Sequence, residues 1–260
     1  MLTPHSTSSQ VRVLGSGDYW YRGLLPALKM HFKPSLVTNN NDIVIDFFID
    51  GISPYNSPSK NIHLWPIAGR IICDKVETAP FLVALWCGSS KEPDCLDEFL
   101  SPFVNECLKL MDGFHLNGHK YTLIVKNCIA DAPARAMLKR VNSHNSKVCC
   151  ERCEARCFYV QNRTVFAVDC VCKARTDESF SQRSDPLYHK VEDPSPLEKF
   201  MKMVSQFPLE PLHLVDLGAM KRIFKMLVQP KASKVYLKPL LREEIDASVA
   251  VLPPYIPSEF

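Results

Sequence analysis

The stretch that most constrains the fold is Asp42–Gly51, DIVIDFFIDG, an apolar segment that ends in an acidic residue and a turn glycine. Its β-branched and aromatic residues, interrupted only by Asp46, predict a largely buried strand with Asp50 at its exit. A carboxylate in that position is costly to desolvate unless it has a partner, and a bound cation is one suitable partner. We therefore searched the rest of the chain for residues that could complete a cation site beside Asp50.

Length and composition predict a globular protein. The 260 residues are 46% apolar, which is enough for one large or two modest domains with a real core. No apolar run approaches the roughly 18 residues of a membrane helix, and the first ten residues, MLTPHSTSSQ, lack the pattern of a signal peptide. These features favour an intracellular protein that does not enter a membrane. The net charge of +3 means that nucleic-acid binding would depend on local basic patches.

The order of predicted elements is strand, strand, strand, helix, strand, helix. After the first strand, we predict strands over 62–72 and 79–88, a helix over 94–111, a strand over 121–131 that ends on Asp131, and a helix over 132–141. Outside this series, we expect a short helix over 20–32 broken near Pro26, a glycine-bounded turn over 113–120, a polar loop over 175–197, and helices over 218–228 and 240–252.

Two aspartates leave strands in this series, Asp50 after the first and Asp131 after the fourth, 81 residues apart. In a ribonuclease-H-like fold these two strands lie side by side, so the carboxylates would become neighbours. Joined by a third acid, such a pair can hold two divalent cations about 3.5–4 Å apart for in-line attack at a phosphodiester. The alternative is that Asp50 and Asp131 are ordinary turn residues at strand ends.

Several short segments, in fixed order, resemble the blocks of the CACTA-type (En/Spm-like) DNA transposases of animal genomes. They are FFIDGISPYNSPSKNIHLWPIAG, IADAPARA, VCCERCEA, RTDESF and MVSQFPLEPLHLVDLGAMKRIF. The resemblance covers about residues 38–260. It implies cut-and-paste transposition by a DDE/D nuclease, with Asp50 as the first catalytic acid, Asp131 as the second, Mg²⁺ or Mn²⁺ as the cofactor, transposon DNA as the partner and the nucleus as the location.

Cysteines are concentrated in one part of the chain, where six of the eleven fall within 24 residues: Cys149, Cys150, Cys153, Cys157, Cys170 and Cys172. In a reducing compartment such crowding favours metal binding over disulfides. Cys150 and Cys153 have the C-x-x-C spacing that places two thiolates on one zinc ion, and they match the cysteine pair of the family.

The other zinc ligands stay open at this stage. The resemblance points to His213, which matches the histidine of the family, and to His189, which falls where the family often has one; Cys157, Cys170 and Cys172 are further candidates. Lys190 stands where the second histidine of the usual pair is found. For His213, burial as a core residue between two leucines is the alternative.

The expected fold class is therefore α/β, a ribonuclease-H-like mixed sheet with helices on both faces and a cysteine-rich, zinc-binding insertion. We expect four regions: a leader with a short helix over 1–41, the core over 42–145, the insertion and loop over 146–197, and a helical continuation over 198–260. Lys221, Arg222 and Lys225 lie on the predicted basic helix and could contact phosphates, although a solvated face is the alternative.

The third carboxylate is not evident. Glu243 and Glu244 lie on a predicted helix before the final IPSEF block, whereas the family places its last glutamate beyond that block. We therefore expect the central part of a transposase, truncated at its C-terminus and inactive as this fragment. The alternative function is a non-catalytic, domesticated or decayed remnant that binds DNA or protein through a zinc-stabilised module. Self-association into a homo-oligomer is possible in both cases.

Overall fold

A computed structural model describes residues 11–37, 41–55, 61–160, 163–167, 171–228, 237 and 239–250. Its strands are β1 (Val11–Leu14), β2 (Gly17–Tyr21), β3 (Asp42–Ile49), β4 (His63–Ile71), β5 (Phe81–Gly88), β6 (Phe114–Leu116), β7 (His119–Ile129), β8 (Cys157–Val160) and β9 (Arg163–Phe166). Its α-helices are α1 (Leu24–His31), α2 (Leu96–Met111), α3 (Ala132–Lys139), α4 (Asp177–Ser181), α5 (Lys221–Val228) and α6 (Pro239–Ala250). The predicted α/β class is confirmed.

Seven strands form one mixed sheet in the order β1-β2-β5-β4-β3-β7-β6. Neighbouring strands are antiparallel except β3 and β7, which run parallel. The parallel pair requires a long crossover, and the chain between the two strands supplies β4, β5, α2 and β6. As a result, the C-terminal ends of β3 and β7 lie at the same edge of the sheet.

Strand β3 has one fully buried face, which explains its sequence. Ile43, Ile45, Phe47 and Ile49 are each at most 1% exposed and alternate along the strand. The ring of Phe47 meets the ring of Phe103 edge to face, with centroids 4.7 Å apart, so α2 covers this face of the sheet. Helix α2 was predicted from its apolar spacing, and Pro102 is accommodated inside it without a break.

The beginning of the chain differs from the predicted leader with a helix over 20–32. Trp20 belongs to strand β2, and the helix starts only at Leu24, after Gly23 with a φ of 95°. Pro26 does not break α1, because it lies in the first turn, where a proline sacrifices no intrahelical hydrogen bond. The carboxylate of Glu106 accepts the free N–H groups of Leu24 and Leu25 at 2.6 and 2.9 Å. The first ten residues lie outside the described part.

Two predicted irregular segments contain regular structure. The expected turn over 113–120 holds strand β6 and a tight hairpin to β7, made by Asn117 and Gly118 with φ values of 52° and 82°. The expected loop over 175–197 holds α4 and ends where a short 3-10 helix, Pro196–Lys199, begins. Phe180, Tyr188 and Leu197 are at most 3% exposed. These three apolar residues are widely spaced among polar ones, so the sequence pattern concealed them.

The chain divides into two compact units, Met1–Pro208 and Leu209–Phe260. The second unit contains a π-helix, Leu212–Met220, followed by α5 and α6. The helices predicted over 218–228 and 240–252 are thus confirmed as helical segments. Their bounds differ, because α5 starts at Lys221 and Gly218 belongs to the π-helix. The IPSEF block lies outside the described residues. Among the residues that are described, no helix is both long and apolar enough to cross a membrane.

Candidate metal centre

The register of β3 and β7 brings the two predicted acids to one edge. Phe48 pairs with Ile129, and Asp50 and Asp131 each follow their member of this pair by two residues. Adjacent strands are about 4.8 Å apart, and residues two apart on a strand face the same side of the sheet. Both aspartates are half-buried. The parallel pairing therefore makes Asp50 and Asp131 neighbours at the sheet edge, as the cation-site hypothesis requires.

Gly51 explains how the chain leaves β3 at this point. A Cβ on Gly51 would lie 2.9 Å from the indole ring of Trp65, closer than side chains tolerate, so the chain can pass this ring only with glycine. The Trp65 Nε1–H donates to the backbone oxygen of Lys91 at 2.8 Å, which fixes the ring. Gly51 N–H also donates to Asp50 Oδ1 at 2.8 Å. The IDG and WPI motifs are therefore in contact and orient the exit of the strand.

Asp131 caps helix α3. Its Oδ1 accepts the N–H of Ala134 at 2.7 Å, and Pro133 occupies the first turn. A capping contact of this kind is expected if Asp131 is an ordinary turn residue at the end of a strand. Capping uses one carboxylate oxygen in the described contacts, and a carboxylate can accept from several directions at once. Capping and cation binding are therefore compatible.

Asp46, the polar residue inside β3, does not supply a third acid at this edge. It is 6% exposed; its Oδ1 accepts from Asn127 Nδ2 at 2.9 Å, and Arg70 Nη2 lies 3.8 Å from its Oδ2. Four residues along a strand separate it from Asp50 by about 13 Å. The three side chains form a cross-strand polar row below the sheet edge where Asp50 and Asp131 lie.

Cys150 and Cys153 bring their sulfurs close together. Cys150 Sγ and Cys153 Sγ lie 3.4 Å apart, close to the separation of about 3.8 Å expected for two thiolates on one tetrahedral zinc. The segment is held by residues 173–175: Lys173 O accepts Glu154 N–H at 2.9 Å, and Arg175 N–H donates to Arg152 O at 2.9 Å. Cys172 directly precedes this pairing segment and is disulfide-bonded, so it is not available as a zinc ligand, whereas Cys170 lies outside the described residues.

A second close cysteine pair is separate from the first. Cys149 Sγ and Cys157 Sγ are 3.4 Å apart, and both residues are buried. Burial raises the pKa of the Cys149 thiol, and the hydrogen bond with Cys157 raises it further. Cys157, one of the open zinc candidates, is therefore placed in a buried thiol pair at the base of the β8–β9 hairpin.

The two histidine candidates lie in different units. His189 packs against the rings of Phe180 and Tyr188, with centroid distances of 4.7 and 5.5 Å, and burial lowers its pKa to about 4. His213 is exposed within the second unit, where its Nδ1 lies 2.7 Å from Glu210 Oε2. The core alternative for His213 is therefore wrong. Its predicted zinc ligation, like that of His189, stays a prediction.

A network of buried charges, which the sequence did not reveal, connects residues 149–157, called here the cysteine segment, to α3. Glu151 lies between Cys150 and Cys153. Its carboxylate accepts from Arg135 Nε at 2.8 and 3.0 Å and from Lys139 Nζ at 3.0 Å. Arg135 is 4% exposed and Lys139 is 1% exposed. Burial alone would raise the pKa of Glu151, but the attraction of Lys139 and Arg135 outweighs it and lowers the pKa. Glu151 is thus held as a carboxylate.

Apolar and backbone groups enclose this network. Lys139 Nζ lies 5.7 Å from the ring centroid of Phe180 and 5.4 Å from that of Phe207. Beside Phe207, Gln206 Nε2 donates to the backbone oxygen of Val125 at 2.6 Å, and Cys128 N–H donates to Gln206 O at 2.8 Å. Residues 205–208, the SQFP segment, therefore line the edge of β7 and cover the buried side chain of Lys139.

A second buried ion pair stabilises the RTDESF segment. Asp185 and Arg175 are each 5% exposed at their side chains and lie 2.7 Å apart, and Arg156 adds a contact of 2.8 Å to the same carboxylate. Burial opposes ionisation of Asp185, but hydrogen bonds from Arg156 and Arg175 lower its pKa overall. The guanidinium of Arg175 also stacks 3.8 Å from the ring centroid of Tyr188.

We expect Asp185→Asn to change the acid sensitivity of the protein. Because the folded-state pKa of Asp185 is depressed, its contribution to stability is present above the unfolded pKa of about 3.9 and is lost as the pH falls through the folded pKa. The variant should be less stable than the parent by about 3 kcal/mol at pH 7, with a difference that shrinks below pH 4. Urea unfolding between pH 7 and 3 measures this; the exposed Asp193→Asn is the control, and a difference independent of pH would contradict the assignment.

Within the part of the chain that the structure describes, no three His, Cys, Asp or Glu side chains form a ready-made metal site. Glu243 and Glu244, candidates for a third acid that the sequence left open, lie on α6 in the second unit. Lys221, Arg222 and Lys225 are exposed on α5. No protein-family model matches the chain. No curated protein matches it either.

Proposed function

We propose that this chain derives from a CACTA-type DDE/D transposase and that Asp50 and Asp131 hold divalent cations at the edge of a ribonuclease-H-like sheet. The observation that carries the proposal is the parallel β3–β7 pair, whose register makes the two acids neighbours. The antiparallel series β3, β4, β5 beside this pair supports the same fold. When bound, Mg²⁺ or Mn²⁺ activates the attacking water or hydroxyl and stabilises charge at the phosphodiester.

Zinc at Cys150 and Cys153 is the second part of the proposal. The short separation of the two sulfurs supports a shared tetrahedral ion. The zinc would stabilise the insertion. Substrate DNA would meet the basic helix α5 through Lys221, Arg222 and Lys225, in the nucleus, where transposon DNA is found.

Plasmid nicking tests the catalytic part directly. Because the described residues supply no third acid to the aspartate pair, the purified chain with Mn²⁺ should nick supercoiled DNA only slowly. Asp50→Asn and Asp131→Asn should each reduce that slow rate at least about 10²-fold, a loss typical of removing a catalytic electrostatic group. Asp46→Asn, in the polar row below the edge, is the matched control on the same strand. Nicking that survives both substitutions would rule out the paired aspartates as the catalytic site.

The capping contact of Asp131 supports a second candidate function, a non-catalytic remnant that binds DNA. In that case the acids serve the fold alone, and α5 supplies phosphate contacts. The remnant predicts salt-dependent DNA binding that Lys221→Ala and Arg222→Ala weaken, without any Mn²⁺-dependent nicking. Nicking that is lost in Asp131→Asn would remove this candidate.

A further inference from the structure

We infer that Glu151 is a positioning residue for Asp131, acting through the buried side chain of Arg135. This inference rests on the proposed cation site and extends it to residues outside that site. Glu151 belongs to the cysteine segment, whereas Asp131 belongs to the sheet edge. Their connection is a short series of contacts, each of which can be tested separately.

The first contact fixes Arg135. Its guanidinium is buried, and Glu151 accepts from its Nε through both carboxylate oxygens, at 2.8 and 3.0 Å. This is one N–H shared between two carboxylate oxygens, a bifurcated and charge-assisted contact that fixes the position of Nε against Glu151. Lys139, one turn further along α3, donates to the same carboxylate at 3.0 Å. Glu151 thus holds α3 at two successive turns.

The second contact passes from Arg135 to the aspartate. Arg135 Nη1 donates to the backbone oxygen of Ala130, the residue before Asp131, at 2.6 Å. The N–H of Arg135 donates to the backbone oxygen of Asp131 at 2.8 Å, and the Asp131 side chain caps Ala134. Arg135 therefore holds the main chain on both sides of the Asp131 carboxylate, and its own orientation depends on Glu151.

Because Glu151 lies between Cys150 and Cys153, an ion bound at these cysteines would influence Asp131. Any ion bound by those two thiolates fixes the backbone that carries Glu151, and so acts on Asp131 through Arg135. Groups that orient a metal ligand from outside the coordination shell typically change metal affinity 10- to 100-fold when they are altered. The cysteine pair and the aspartate pair are in this way one connected structure within the first unit.

Mn²⁺ binding provides the test. The full chain is titrated with Mn²⁺, and free Mn²⁺ is measured by electron paramagnetic resonance at a temperature where circular dichroism shows every variant to be folded. Glu151→Gln, which keeps the size of the side chain but removes its charge, should weaken Mn²⁺ binding about tenfold or more. Glu154→Gln, in the same cysteine segment, should leave the affinity within twofold of the parent.

A third variant distinguishes the positioning of Asp131 by Glu151 from a general loss of stability. Asp185→Asn removes another buried carboxylate of the same unit that has no contact with α3 in the described structure. If Asp185→Asn weakens Mn²⁺ binding as much as Glu151→Gln does, or if Glu151→Gln has no effect, the inference is overturned. If Asp50→Asn leaves Mn²⁺ binding intact, the proposed cation site fails instead, and the two failures are distinguishable.

A metal-independent readout completes the test. Hydrogen exchange of the Ala134 amide reports whether the Asp131 cap remains in place. Since both variants lose global stability, we compare them with each other and expect this amide to exchange at least tenfold faster in Glu151→Gln than in Asp185→Asn. Unchanged exchange in Glu151→Gln would contradict positioning even if no Mn²⁺ bound to any form of the protein.

Discussion

Replacing Glu151 with alanine should lower the free energy of unfolding by about 3–5 kcal/mol, the typical cost of removing one partner from a buried ion pair. The reason is that the carboxylate is the acceptor for two cationic side chains that are at most 4% exposed. Without it, Arg135 and Lys139 would be buried as uncompensated charges. Burial already lowers the pKa of Lys139, so this lysine would lose its proton more easily in the variant.

Urea unfolding at pH 7, monitored by tryptophan fluorescence, measures the loss. The control is Glu154→Ala, three residues away, which should change the free energy of unfolding by no more than about 0.5 kcal/mol. Adding Lys139→Met to Glu151→Ala should recover part of the lost stability, because an unpaired buried charge is then replaced by an apolar side chain of similar length. A loss below about 1 kcal/mol in Glu151→Ala would show that the network is not a structural element of the fold.

Replacing Phe207 with alanine should cost about 3–5 kcal/mol, as expected for a fully buried aromatic residue in a core that cannot collapse around the cavity. Phe207 is 0% exposed, and its ring lies beside Lys139 Nζ. Its backbone oxygen also accepts from Arg152 Nη2 at 2.5 Å, which keeps the cysteine segment against the same region. The substitution would therefore admit water to the buried lysine as well as remove apolar contacts.

Thermal unfolding with Phe158→Ala as the control separates burial from aromatic character. Phe158 lies on the β8–β9 hairpin and is 57% exposed, so its removal should change stability by about 0.5 kcal/mol at most. Equal destabilisation by the two substitutions would contradict the buried position of Phe207 and the role of the SQFP segment as a cover for the network.

The sheet was largely predictable from the sequence, because its central strands are buried and are therefore written as apolar runs. Strands β3, β4, β5 and β7 are apolar runs bounded by polar or turn residues, and such runs have few alternatives to a buried strand. Strand β1 was missed because it is four residues long and only Leu14 is buried. The pairing of β3 with β7 depends on contacts between distant residues, so it came from the expected fold and not from any local pattern.

The candidate site was predictable only in part, since acids at strand ends are visible in sequence but buried charge pairs are not. Arg135 and Lys139 have the composition of a solvated helix face, Glu151 lies in an irregular segment among cysteines, and nothing local marks the three as buried. Arg135 and Lys139 lie four residues apart on α3, the one signal that they share a face. The RTDESF segment was predicted as a loop for the same reason: its contacts to Asp185 and to the SQFP segment are all tertiary.

Several blocks that carry the resemblance thus have architectural roles. Arg175 pairs with Asp185, Asp177 Oδ1 accepts the N–H groups of Val204 and Ser205 at 2.7 and 2.9 Å, and Gln206 pairs with β7. These contacts place the cysteine segment and α3 against the sheet edge where Asp50 and Asp131 lie. The motifs can therefore support the proposed site without contacting a cation themselves.

The measurement that tests the central claim most directly is a crystal structure of the chain grown with Mn²⁺, examined for anomalous scattering from the metal. The account predicts an anomalous peak within about 2.0–2.3 Å of carboxylate oxygens from both Asp50 and Asp131, with Asp131 still capping Ala134. A well-ordered sheet edge with both carboxylates visible and no Mn²⁺ between them, at millimolar Mn²⁺, would contradict it. In that case the aspartates would be strand-end residues that serve the fold alone.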